Sequence, residues 1–268
     1  MKTIERENVR LDYTVTGKGE TTLLFVHGAF INKEYWNAQV EYFSPAYKVV
    51  TIDLAGHGKS GKNRNDCSIQ AMAEDVIVLI KELELSDIIL IGHSFAGDVI
   101  LEVAGKVPDL IIGFVGVDNF KNAGAEMPEE IQKQVDQVIS SLKLDFSNGS
   151  EIYVRRALIT SSTDNLISSR IIKDFRNFDP IAGVSIITSG FSYISREREL
   201  LKQLAFKLYL INVDYFPTNT DLLIKYAHSG FGISQIHGSC HYPMIEKPVE
   251  FNRLLQDIIN KIEAGEQG

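Results

Sequence analysis

The chain of 268 residues is 44% hydrophobic and 23% charged, the composition of a folded globular protein, which excludes a disordered one. Its 35 acidic against 27 basic side chains leave a formal charge of −8, and no lysine or arginine stripe reverses it locally, so neither nucleic acid nor an anionic bilayer is an expected partner. Residues 1–8 lack the apolar run of a signal peptide and no later stretch is long enough to span a membrane. The cytoplasm is therefore the expected compartment, with Cys67 and Cys240 as free thiols.

Val9 to Thr16 alternates loosely and runs into Gly17-Lys18-Gly19-Glu20, a strand and turn ahead of the apolar run Leu23 to Val26, which predicts an antiparallel entry to a sheet. Val49 to Ile52, Ile88 to Ile91 and Ile111 to Val117 are short, nearly continuous apolar runs, the pattern of strands buried on both faces of a parallel sheet. Between them Ile69, Met72, Val76, Leu79, Ile80 and Leu83 keep a helical period. Alternating strand and helix implies right-handed crossovers and an α/β fold with a doubly wound, mostly parallel sheet. From about residue 120 to 205 the alternation stops: Pro128 opens a helical pattern and further helical stretches follow without a clear strand. This stretch, 120–205, is read as a helical cap inserted into a core made of 1–119 and 206–268. Strand-like sequence returns at Leu208 to Ile211 and, more weakly, at Ile233 to Ile236, before a last helical pattern from Phe251 to Ile262.

The segment Ile89-Leu90-Ile91-Gly92-His93-Ser94-Phe95-Ala96-Gly97 places a serine between a buried strand and a helix. Such a sharp turn forces its corner residue into a strained conformation with the side chain pushed outward, beside the free amides of a helix N-terminus. Ala96 stands where the usual Gly-x-Ser-x-Gly has its last glycine, with Gly97 following. A serine that merely caps an ordinary helix is the bland alternative.

Four segments together resemble the α/β-hydrolase superfamily. They are Leu24-Phe25-Val26-His27-Gly28-Ala29 with Trp36 after it, Asp53-Leu54-Ala55-Gly56-His57-Gly58-Lys59-Ser60, the serine turn, and Gly238-Ser239-Cys240-His241 leading to Pro248. The resemblance implies Ser94 as nucleophile, His241 as its general base, and backbone amides of Ala29 and Phe95 as the oxyanion hole. For the acid that orients His241, it implies Asp214 after Leu208 to Val213, with Asp118 after Ile111 to Val117 as the alternative; Asp221 reads as the cap of the next helix. Asn212, where glycine is frequent, leaves the register at Asp214 open by a residue.

Competing motifs fall away. Gly58-Lys59-Ser60 imitates the end of a phosphate-binding loop, but Asp53 stands where that loop needs glycine. His237 and His241 have the spacing of two metal ligands on a helix, but Gly238 disfavours a helix and no third ligand is evident, so no metal is expected. No cofactor is implied. Cap aromatics (Tyr153, Phe175, Phe178, Phe191, Tyr193) with Phe30, Trp36 and Phe95 suggest a pocket for a small-molecule apolar acyl substrate, although most such rings could simply pack the cap onto the core. The expected activity is hydrolysis of a small or medium apolar ester, thioester or lactone through an acyl-enzyme. Carbon–carbon bond hydrolysis or perhydrolysis on the same residues, or a ligand-binding protein using the same pocket, are the alternatives.

Overall fold

The structure, a computed structural model, describes residues 2–265. The predicted strands, with one more at the start of the chain, form one eight-stranded sheet: β1 (Lys2–Arg6), β2 (Val9–Thr16), β3 (Thr22–Val26), β4 (Lys48–Ile52), β5 (Ile88–His93), β6 (Ile111–Val117), β7 (Leu208–Val213) and β8 (Phe231–Ile236). Their order across the sheet is β1-β2-β4-β3-β5-β6-β7-β8, with β1, β2 and β4 paired antiparallel and the rest parallel. The antiparallel entry is thus present, extended by an edge strand β1 that sequence reading missed. Its alternating polar residues are mostly exposed, so it lacks the apolar run that marks the others.

Helices α1 (Asn37–Phe43), α2 (Ile69–Glu82) and α3 (Phe95–Lys106) cross between the early strands. Between β6 and β7 come α4 (Glu129–Leu144), α5 (Phe146–Tyr153), a π-helical turn (Val154–Leu158), α6 (Asn165–Arg176), α7 (Pro180–Ser192) and α8 (Ile194–Gln203), with no strand among the described residues. Short helices α9 (Thr220–Tyr226) and α10 (Pro243–Glu246) precede α11 (Pro248–Glu263), which lays its apolar face, including Phe251, Leu255, Ile258 and Ile262, on the core. Asn219, rather than Asp221, caps α9, its side chain accepting from the Leu222 amide.

One ring of the core packs against three aromatics of the inserted helices. Phe30, at the end of the turn after β3, is buried edge-on against Phe175 at 4.8 Å and Phe146 at 5.8 Å, and tilted on Phe178 at 4.8 Å. Trp36 does not reach the cavity: it is fully buried against Phe25 at 5.0 Å and Phe251 at 6.0 Å, so its place in the pocket is withdrawn.

The Asp53-x-x-Gly-x-Gly-x-Ser loop is a scaffold for that turn. Its Asp53 carboxylate is buried, paired with Lys33 Nζ at 2.8 Å and accepting the Lys33 and Lys59 amides at 2.8 and 2.9 Å. A side chain at Gly58 would collide with that carboxylate, at 2.3 Å, in a backbone of φ +49°. The loop closes on Ser60, whose hydroxyl donates to the Asp53 carbonyl and accepts the Asp12 amide. Held this way, His57 accepts the Phe30 amide on Nε2 at 3.0 Å and bonds the Ala55 carbonyl through Nδ1, while His27 accepts the Leu54 amide and bonds the Gly28 carbonyl.

Each of these bonding patterns requires a neutral ring. Burial holds His27 and His57 below the ordinary histidine range and pulls His93 down to about 3. The unfolded chain therefore binds more protons than the folded one below about pH 6.5, and stability falls as pH is lowered, by up to about 1.4 kcal/mol per pH unit for each such histidine. Urea midpoints should drop between pH 7 and pH 5, above the range where carboxylates titrate in the unfolded chain. A midpoint constant over that interval would show that these rings are not held neutral.

Candidate active site

Ser94 sits at the corner between β5 and α3 with φ +51° and ψ −125°. Two glycines make the corner possible, Gly92 at the first position of the usual motif and Gly97 one residue past its last: a Cβ at Gly92 would meet the Ala96 carbonyl at 2.5 Å, and one at Gly97 would strike Asn119 Nδ2 at 1.7 Å. Ala96 itself packs fully buried. Asn119 uses the space left by Gly97 to donate to the Ser94 carbonyl at 2.5 Å, and the Ser94 amide donates to Val117 at 2.9 Å. The corner is thereby clamped to the end of β6.

His241, nearly buried, lies on the loop after β8. Its amide donates to the Leu158 carbonyl at 3.0 Å and its carbonyl accepts from His93 Nε2 at 2.8 Å. Strand alternation turns His93 away from Ser94, yet it lines the same cavity and fixes the histidine loop, a role that sequence reading missed.

Asp214 does not meet His241. It lies past the end of β7, beside the outermost strand β8, where its carboxylate takes His237 Nδ1 at 3.0 Å and the Gly238 amide at 2.9 Å. Asp118, past the end of β6, is one strand nearer Ser94, and its Oδ2 bonds His241 Nδ1 at 2.5 Å. The choice of Asp214 is corrected on this geometry to the alternative, Asp118.

Three further contacts hold the Asp118 carboxylate: the Val213 amide at 3.0 Å, Lys121 Nζ at 2.7 Å and the Tyr215 hydroxyl at 3.3 Å. Lys121 also lies over the Tyr215 ring, 4.3 Å from its centroid. Burial pushes the carboxyl up, but the hydrogen bond and charge of His241, together with Lys121, outweigh it and keep Asp118 below the usual carboxylate range. Asp118 and Phe120 both have positive φ, 46° and 52°, in a run that sends Asp118, Asn119 and Lys121 to one site. The cluster of polar residues directly after an apolar strand was its available signal.

Ser94, His241 and Asp118 line a cavity of about 220 Å³ walled by Ala29, Phe30, Phe95, Phe175, Ile186 and Phe191, among others. Of the cap aromatics expected there, Tyr153, Phe175 and Phe191 contribute to the wall, whereas Phe178 and Tyr193 pack elsewhere. Asp98 is a further acid on this wall; burial and the neighbouring Glu197 push its carboxyl well up. Phe95 opens α3, whose first amides have no acceptor within the helix, and Ala29 adjoins the turn held by His57. No group of three or more metal-binding side chains occurs among the described residues, and none of their helices is long and apolar enough to cross a membrane.

A family model described as the alpha/beta hydrolase fold matches residues 21–211. The chain belongs to the α/β-hydrolase fold family. It is 26% identical over 265 residues to a putative esterase/lipase of Haemophilus influenzae, covering 89% of this chain and 83% of the relative. It is 25% identical over 257 residues to a pimeloyl-[acyl-carrier protein] methyl ester esterase of Sodalis glossinidius, covering 93% and 97%. A thermophilic esterase from Thermogutta terrifontis superposes with TM-score 0.80 at 19% identity, covering 97% of each chain.

In an α/β-hydrolase with this geometry, Asp118→Asn should lower kcat on an activated ester by about 10⁴-fold, because the amide imposes the wrong imidazole tautomer. Asp214→Asn should cost little. Steady-state rates of both folded variants at neutral pH decide between them, and the reverse ranking would restore Asp214.

Proposed function

We propose that this α/β-hydrolase is a serine esterase acting on small apolar acyl groups. The observation that carries the proposal is the convergence of Ser94, on its strained corner, with a His241 whose Nδ1 is tied to Asp118. With Nδ1 donating to the carboxylate, Nε2 is the nitrogen left to act as base. The Ser94 hydroxyl adds to the acyl carbon while His241 takes its proton, and the oxygen turned negative is received by the Ala29 and Phe95 amides. His241 then returns the proton to the leaving oxygen as its bond to the acyl carbon breaks, and water releases the acid from Ser94 by the same steps in reverse.

Two features support a small apolar acyl group. The cavity of about 220 Å³ is below the roughly 300–1,000 Å³ of sites for drug-sized ligands. Phe30, Phe95, Phe175, Ile186, Ile187 and Phe191 make most of its wall hydrocarbon, against which an alkyl chain packs without desolvating a polar group. The esterase names carried by the two relatives agree with ester hydrolysis.

Purified protein should hydrolyse 4-nitrophenyl acetate and butyrate faster than the decanoate, and a fluorophosphonate probe should label it once. Ser94→Ala should abolish labelling and lower kcat by about 10³-fold or more. Wild-type turnover in the alanine variant would remove Ser94 as the nucleophile.

A further inference from the structure

A second cavity, about 580 Å³, opens on the other side of the same residues. It shares Ser94, His241, Asp118 and Tyr153 with the apolar one but continues past Tyr215 and Phe216 to Arg156. Ala29 and Phe95, whose amides would receive the oxyanion, wall the apolar cavity and not this one. A carbonyl directed to those amides leaves its acyl chain in the apolar lobe, so the leaving group must occupy the open lobe.

The open lobe carries two cations, Lys121 and Arg156, against one carboxylate, Asp118, in a protein of formal charge −8. Of its two cations, Lys121 is already committed to Asp118 and to the Val213 carbonyl. Arg156 is exposed and has no anionic partner among the described residues, although its neighbour Arg155 pairs with Glu151 at 2.8 Å. The backbone that carries Arg156 is also tied to the site. It belongs to the π-helical turn Val154–Leu158, and the Leu158 carbonyl at the end of that turn accepts the His241 amide at 3.0 Å. An unpaired guanidinium tethered two residues from a contact with the base, beside a lobe large enough for an alcohol, is placed to receive an anion.

We propose that the open lobe binds the leaving-group half of the ester and that Arg156 selects leaving groups carrying an anionic group, a carboxylate or a phosphate. The substrate is then a small apolar acyl group joined to an acidic alcohol or thiol. This rests on the esterase reading, and the reaction is unchanged: the bond between the acyl carbon and the leaving oxygen or sulfur breaks, and His241 protonates the departing atom.

The test uses matched butyryl esters. O-butyryl derivatives of ω-hydroxy acids of increasing length are each compared with the corresponding neutral amide, and the butyryl ester of 2-hydroxyethyl phosphate with its neutral dimethyl phosphate ester. The carboxylate and phosphate arms show which anion is preferred. The ratio of kcat/KM, anionic over neutral, should exceed about fivefold at its best chain length, act through KM, and shrink in 0.5 M NaCl because Arg156 is exposed. Arg156→Gln should bring the ratio near one and Arg156→Glu should invert it, while Arg156→Lys keeps part of it. Arg155→Gln, one residue away but paired with Glu151, should leave the ratio as in the wild type. Turnover of both members with a ratio near one throughout, or a ratio that survives Arg156→Gln, overturns the proposal and leaves the esterase reading standing. Turnover of neither member overturns both.

Discussion

The site depends on one backbone conformation, the left-handed corner at Ser94. A non-glycine residue held at φ +51° and ψ −125° costs on the order of 1–3 kcal/mol, so surrounding bonds must over-determine it. They come from both sides of the turn: Val117 accepts the Ser94 amide, Gly97 donates to the Ser94 carbonyl, and Asn119 caps that same carbonyl from the end of β6. Removing a Cβ at Gly97 is what lets Asn119 approach. The residues after β6 thus brace the corner through Asn119 and hold the histidine through Asp118. Two functions that look separate along the chain are performed by adjacent residues of one strained segment.

Much of this was legible locally. Buried parallel strands announce themselves as apolar runs, and the corner, the His-Gly turn and the histidine loop are written in contiguous residues. The carboxylate that meets His241 was not, because Asp118 and Asp214 both follow core strands and both precede the histidine in sequence. What separates them is lateral position in the sheet. β6 lies beside β5, whereas β7 is a further strand away and adjoins β8, so Asp214 meets His237 and Gly238 at the start of the loop rather than His241 further along. Trp36 was misplaced for a related reason: an aromatic near a motif can pack inward as easily as outward, and the tertiary contacts with Phe25 and Phe251 decide it. Edge strand β1 carries too little apolar sequence to be distinguished from a polar tail.

The motif around Asp53 shows how a recurrent sequence can serve function without touching substrate. Its carboxylate is surrounded by Lys33 and two amides, its second glycine makes room for that carboxylate, and the loop so formed presents His57 to the Phe30 amide. Phe30 then does two things: its backbone shapes the turn next to Ala29, and its ring receives Phe146, Phe175 and Phe178 from the inserted helices. A buried ion pair is in this way coupled to both the turn next to Ala29 and the wall of the pocket. The neutrality of His27 and His57 matters here, since a protonated ring could no longer accept the Leu54 or Phe30 amide.

The distribution of charge around His241 follows from the same division of space. On the apolar lobe, burial and Glu197 push the Asp98 carboxyl well up, while Asp118, which borders both lobes, is paired with Lys121 and hydrogen-bonded to His241. Lys121 beside the carboxylate helps His241 to keep it below the usual carboxylate range although it is buried. Tyr215 completes the arrangement. Burial and the nearby Asp118 push its hydroxyl up, so it remains a donor, and it meets the same Oδ2 that holds His241. With every lone pair of the acid directed by a neighbour, the carboxylate has little freedom to swing away from Nδ1 as charge develops on the ring. Orientation of the His241 ring is therefore built into the contacts among β6, β7 and the histidine loop.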